Sequence, residues 1–155
     1  MSSIKNSTIK KYYLFLLINL FSFSTLSATN SQKCDSIIKT AVELMLKKKH
    51  VKSLELLSEA RSMAEKNKWY KQLFLAQNNI GNNYYMLLDY GEALKQYLLS
   101  YQIAIQHLDA KHEMIVLNNI AILYSKEEKF DKAKEHFQKA FVIAERDKDS
   151  LKMGL

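Results

Sequence analysis

The 155-residue sequence contains no proline, only three glycines and a single tryptophan. A chain so poor in breakers has little turn chemistry, and with many Leu, Lys, Glu and Ala and few Val it is ill suited to strands. All-α structure is predicted. With one cysteine, Cys34, no intramolecular disulfide can form, so the 48% of hydrophobic residues must build the core unaided. At this length one domain is expected.

The residue patterns that carry catalysis are also missing. There is no glycine-rich phosphate loop, and no serine sits in a nucleophile elbow. His50 falls at a turn, His107 and His112 flank a loop that reads as solvated, and His136 lies on a polar helix face. None has a His, Asp or Glu partner at metal-ligand spacing in an apolar setting. Cys34 has no local base. The chain is predicted to be a non-enzyme, without metal or cofactor.

The formal net charge of +7 divides unevenly. Residues 1–28 hold Lys5, Lys10 and Lys11 and no acid, which leaves 20 basic and 16 acidic residues in the remainder. Lys and Glu alternate there along the helices, unlike the one-sided basic face of a nucleic-acid binder. "KNSTIKKYY", "YLFLLINLFSF" and "STLSATN" read in order as a basic region, an apolar region and small residues suited to cleavage after Ala28. Export to a periplasm or beyond is expected. An uncleaved membrane anchor over residues 12–26 is the alternative, though that apolar run is shorter than the roughly 20 residues of a span. Lys33 before Cys34 departs from the small residue that a lipid-attachment box places there, which leaves Cys34 as an unpaired thiol.

What is present is a repeat. Shifting the chain by 40 residues lays 71–110 on 111–150, with Lys71/Lys111, Asn78/Asn118, Asn79/Asn119, Ile80/Ile120, Tyr84/Tyr124, Ala93/Ala133 and Ala104/Ala144 coinciding. The same shift backwards reaches 31–70 more faintly: Ala41 falls under Gly81, Ser53 under Ala93, Leu57 under Tyr97 and Ala60 under Ser100. Each unit reads as two amphipathic helices, with apolar residues at i, i+3, i+4 and i+7, around a tight turn. In the second unit the turn is placed at "DYGEA", with Gly91 in it. The packing logic is small against large: Gly81 and Ala121 let an aromatic approach closely, Tyr90, Phe130, Tyr97 and Phe137 supply the bulk, and Tyr84, Ala93, Tyr124 and Ala133 complete the packing set.

The series Gly81-Tyr84-Tyr90-Ala93-Tyr97-Ser100, repeated as Ala121-Tyr124-Phe130-Ala133-Phe137-Ala140, resembles the tetratricopeptide repeat. "LNNIAILYSKEEKFDKAKEHFQKAFVIAE" is similar to the longer repeats of kinesin light chain and the bacterial Rap regulators. The departures are a 40-residue period against a usual repeat of about 34, no proline, and Gln77 and Leu117 where Trp is common. The resemblance implies tandem antiparallel helix pairs in a short right-handed superhelix, with units at about 31–70, 71–110 and 111–150. By register, 151–155 begins a fourth unit with no capping helix after it. Either the chain is then a fragment of a longer protein, or a partner, self-association included, covers the last face.

One stretch fits the helix poorly. "NNIGNNYY", Asn78–Tyr85, puts four asparagines and a glycine inside a helix, at about 0.5–1 kcal/mol each relative to Ala. The resemblance implies that the first helix of each unit lines a concave groove. Asn78, Asn79, Asn82, Tyr85, Asn118 and Asn119 are therefore candidates for binding an extended peptide, because Asn both donates and accepts. Asn79 and Asn119 could equally hydrogen-bond between units, and Asn83 reads as solvated. The expectation is an exported, non-catalytic scaffold for a protein or peptide partner. The alternative is the periplasmic sensory or oligomerising module of a longer membrane-bound signalling protein, a histidine kinase or a transcriptional regulator.

Overall fold

The structure is a computed structural model that describes residues 31–153, with side chains through Lys148. The expected signal segment 1–28 lies outside the described residues, as do the side chains of the expected fourth-unit start at 151–155. Among the described residues there are six helices and no strand. They are α1 over 31–46, α2 His50–Asn67, α3 Tyr70–Met86, α4 Tyr90–His107, α5 Ala110–Lys126 and α6 Phe130–Met153. From α2 onwards, each helix packs on the next in sequence. The packed unit begins at Cys34.

Four of the five turns among the described residues have one design. Lys48, Leu88 and Glu128, 40 residues apart, take the left-handed backbone at φ 58°, 65° and 61°, and Lys68 takes it at 55°. Around Leu88 the Asp89 N–H donates to Tyr84 O (3.0 Å) and the Leu88 N–H to Tyr85 O (3.0 Å). The same pair recurs as Lys49 to Leu44 and Lys48 to Met45, as Trp69 to Ala64 and Lys68 to Glu65, and as Lys129 to Tyr124 and Glu128 to Ser125. This is a Schellman closure, which satisfies the last carbonyls of one helix before the next begins. It normally takes glycine, and here none of the four positions has it. Gly91, expected in the turn, instead lies in the first turn of α4. The turn is set by hydrogen bonds of the backbone, so the nearest glycine is a poor guide to where it falls.

The core follows the small/large register. Ala41, Ser53, Leu57, Ala60 and Ala64 are fully buried in the faint first unit, as are Ala93, Tyr97, Ser100 and Ala104 in the second. A Cβ on Gly81 would lie 2.6 Å from Tyr97 Cδ1 and Cε1, so the tyrosine ring occupies the space that any side chain at 81 would need. Phe74, Ala93, Tyr97, Val116, Ile120 and Leu123 join α3, α4 and α5 in one cluster, with Tyr84 and Tyr124 packed on it. Phe137, expected to pack as Tyr97 does, is 44% exposed, because no described helix covers α6 as α5 covers α4.

Candidate functional site

The asparagines of α3 and α5 make a network. Two of them cross between the helices: Asn119 Nδ2 donates to Asn78 Oδ1 at 2.9 Å. Asn78 is buried at 7% exposure, which corrects the expectation that it looks outward. Its register mate Asn118 is exposed and makes no hydrogen bond to the described residues. The physical reason is stacking: α5 lies over Asn78, and no described helix lies over Asn118.

Asn79 and Asn82 stay half-buried. Asn79 Nδ2 donates to Leu75 O (2.8 Å), one turn back in its own helix. Asn82 Nδ2 donates to Asn79 Oδ1 (3.2 Å), while Asn82 Oδ1 accepts from the Tyr97 hydroxyl (2.9 Å). Burial, and then the neighbouring Tyr85, hold that hydroxyl well above the usual tyrosine range, so it remains a donor. Tyr85 itself is half-buried, its ring 5.8 Å from that of Tyr90.

Asn83 is the residue that sequence reasoning misjudged. It is fully buried, not solvated. Its Nδ2 donates to Ser53 Oγ (3.0 Å) and to Asn79 O (3.1 Å), and its Oδ1 lies 3.1 Å from His50 Nδ1. A carboxamide oxygen only accepts, so His50 carries its proton on Nδ1. Ser53 passes the link on by donating to Ala41 O (2.8 Å). A polar seam thus runs from α1 through α2 to α3. The apolar periodicity could have flagged it, since 76, 80 and 83 fall on one helix face.

The other polar positions also settle into structure. Gln77 and Gln96 are buried and bonded to each other, and Gln96 continues to Glu92. Gln77 takes the place at which the repeat often has Trp, and Leu117, its register mate, is buried against Ala140 and Ile143. His107 and His112 are not a free loop pair. The His107 ring stacks on Tyr70 at 3.7 Å, and His112 meets Phe74 edge-on at 4.9 Å. A shallow cavity of about 340 Å³ between α2, α3 and α4 is walled by Arg61, Tyr70, Leu73, Leu99 and His107. Cys34 is buried and donates to Ala60 O (3.5 Å), and burial first, then Asp35 and Glu59, raises its thiol pKa. No group of three or more His, Cys, Asp or Glu among the described residues is placed to hold a metal.

What the asparagine region leaves open is a stripe. On α3 it runs Leu75, Asn79, Asn82, and on α5, 40 residues on, Ile115, Asn119, Ile122, each at i, i+4, i+7. Ile115 and Ile122 are 38% and 42% exposed. The stripe carries amides and aliphatic groups and no charge.

Helix pairs stacked through a repeated notch, with a neutral stripe along their first helices, define a helical-repeat solenoid of the kind that binds other proteins. Residues 72–146 match the family model described as the tetratricopeptide repeat, and the chain carries that repeat. None of the curated proteins compared with the chain matches it significantly. Among solved structures, the tetratricopeptide domain of Arabidopsis FLU superposes with a TM-score of 0.65 at 17% identity, over 76% of this chain and 98% of that one. Aspartyl phosphate phosphatase F from Bacillus subtilis superposes with a TM-score of 0.71 at 17% identity, over 77% of this chain and 32% of that one. At such identity both likenesses concern the fold alone. Among the described residues no helix is long and apolar enough to cross a membrane.

Proposed function

We propose that the chain is an exported, non-catalytic scaffold that holds an extended, uncharged peptide segment along the stripe of α3 and α5. The pattern of residues 1–28, basic then apolar then small, supports export. The observation that carries the binding site is the pair of exposed isoleucines, Ile115 and Ile122, in register with Leu75 and Asn82. Unpaired aliphatic surface beside amides suits a ligand whose backbone bonds to Asn82, Asn118 and Asn119 while its side chains cover the isoleucines. Asn79 and Tyr85 flank that position. Asn78 supports it from beneath, through Asn119.

Binding of a library of unstructured peptides by fluorescence anisotropy tests this. Ile115→Glu/Ile122→Glu should weaken uncharged apolar binders by roughly tenfold or more, since both side chains would bring charge into a desolvated contact. Unchanged affinities in a variant with intact helical circular dichroism would refute the assignment.

A further inference from the structure

The cavity of about 340 Å³ between α2, α3 and α4 shares no residue with the peptide stripe. Leu73, Leu99 and Ile103 give it an apolar wall, and the stacked rings of Tyr70 and His107 add an aromatic surface. Its volume lies at the small end of the roughly 300–1,000 Å³ of ligand pockets, so it takes a small molecule. The repeat itself does not require this opening. Forty residues on, Arg61 becomes Tyr101, Tyr70 becomes Ala110 and Leu73 becomes Glu113. There the Tyr101 hydroxyl donates to Glu113 (3.0 Å), and Tyr101 and Ala110 pack on Leu117 and Ile143. The corner between α4, α5 and α6 is thus filled by its own side chains. The corner between α2, α3 and α4 is open through its choice of residues, with all three of its helices in place.

The charges that line the cavity narrow the ligand. Arg61 and Glu65 stand four residues apart on α2, a spacing that sets Cβ atoms about 5–6 Å from each other. Both line the cavity, yet neither side chain forms an ion pair or hydrogen bond among the described residues. Arg61 is half-buried and Glu65 exposed. An unspent cation and anion side by side, next to an apolar wall, match a ligand with opposite charges close together and an apolar body. A dicarboxylate would set like charge against Glu65, and a diamine would set it against Arg61. We infer that the cavity binds a free α-amino acid with an apolar side chain. Its carboxylate pairs with the Arg61 guanidinium, its ammonium with Glu65, and its side chain covers Leu73, Leu99 and Ile103. Gln102 and Gln106, four residues apart on α4, add amides that can serve either charged group. The cavity is shallow, so the dissociation constant is on the order of 100 µM.

Amide NMR titration of the purified chain with L-leucine and L-phenylalanine tests this. Shifts should gather around Tyr70, Leu73, Leu99 and Ile103 and leave Ile115 and Ile122 of the peptide stripe unmoved. N-acetyl-L-leucine, which lacks the ammonium, and L-leucinamide, which lacks the carboxylate, should each bind roughly tenfold or more weakly. Arg61→Gln should weaken L-leucine by a similar factor and leave L-leucinamide unchanged, and Glu65→Gln should weaken L-leucine and leave N-acetyl-L-leucine unchanged. Helical circular dichroism should not change in either variant, since neither side chain bonds to the rest of the described fold. Absence of shifts at about a hundredfold excess over the expected dissociation constant overturns the proposal. So does equal binding of the blocked forms, or wild-type affinity for L-leucine in either variant.

Discussion

Replacing Asn83 by alanine isolates the polar seam from the rest of the fold. Three hydrogen bonds go with the carboxamide: to Ser53 Oγ, to Asn79 O and from His50 Nδ1. At a net value of about 1 kcal/mol each, their loss costs about 3 kcal/mol. Alanine returns about 0.6 kcal/mol through helix propensity. The groups left behind add no further cost: Ser53 still donates to Ala41 O, and His50, half-buried at the start of α2, can turn to water. The expected loss is about 2 to 2.5 kcal/mol, or a fall in Tm of roughly 6–15 °C. Urea unfolding followed by circular dichroism measures it, and a double-mutant cycle with Ser53→Ala should give a coupling of about 1 kcal/mol. Asn118→Ala, on an exposed side chain of the same register series, should stay within about 0.5 kcal/mol of wild type. If Asn83→Ala is equally silent, the residue is solvated and the seam does not join the first two helix pairs.

Gly81→Ala should cost about 1–2 kcal/mol in the same unfolding assay, because the new methyl drives the Tyr97 ring away and strains its bond to Asn82 faster than helix propensity compensates. Leu88→Gly should stabilise by about 0.5–1 kcal/mol, since Leu88 is 72% exposed and held at φ 65°, where glycine carries no Cβ penalty. Ser100 Oγ is buried without a hydrogen-bond partner among the described residues, so Ser100→Ala should raise stability by about 1 kcal/mol, as its register mates Ala60 and Ala140 already imply. Asp109, which caps α5 by accepting from the His112 N–H at 3.1 Å, has its carboxyl pKa lowered, first by the side-chain bond to His112. Its contribution is present above the ordinary carboxylate range and disappears as pH falls through the lowered value, which carboxyl-detected NMR titration and amide exchange at the start of α5 should show together.

Much of the architecture is legible without coordinates, because helix packing constrains residue size at fixed intervals. Gly81, Ala93, Tyr97 and Ser100 occupy the buried positions their spacing implies, and even the faint first unit keeps the pattern through Ala41, Ser53, Leu57 and Ala60. The turn was less readable. Its four left-handed residues, Lys48, Lys68, Leu88 and Glu128, range from basic to apolar to acidic, and the closure is made of backbone hydrogen bonds that any residue can supply at some cost. The histidines show the same limit: nothing local marks His107 and His112 as partners of Tyr70 and Phe74.

The stretch Asn78–Tyr85 shows where the two sources of information divide. The sequence by itself determined the helix, its period, the notch at Gly81 and the presence of more amide than a helix needs, since all of these are properties of spacing and composition along one chain. Only the tertiary structure decided which amides are spent. Asn83 is consumed by Ser53 and His50 of the preceding helix, and Asn78 by Asn119 of a following one, while Asn118 in the same register is left exposed. An asparagine has the same donors and acceptors in every setting. Whether it binds its own fold or remains open to a ligand depends on which helix lies over it.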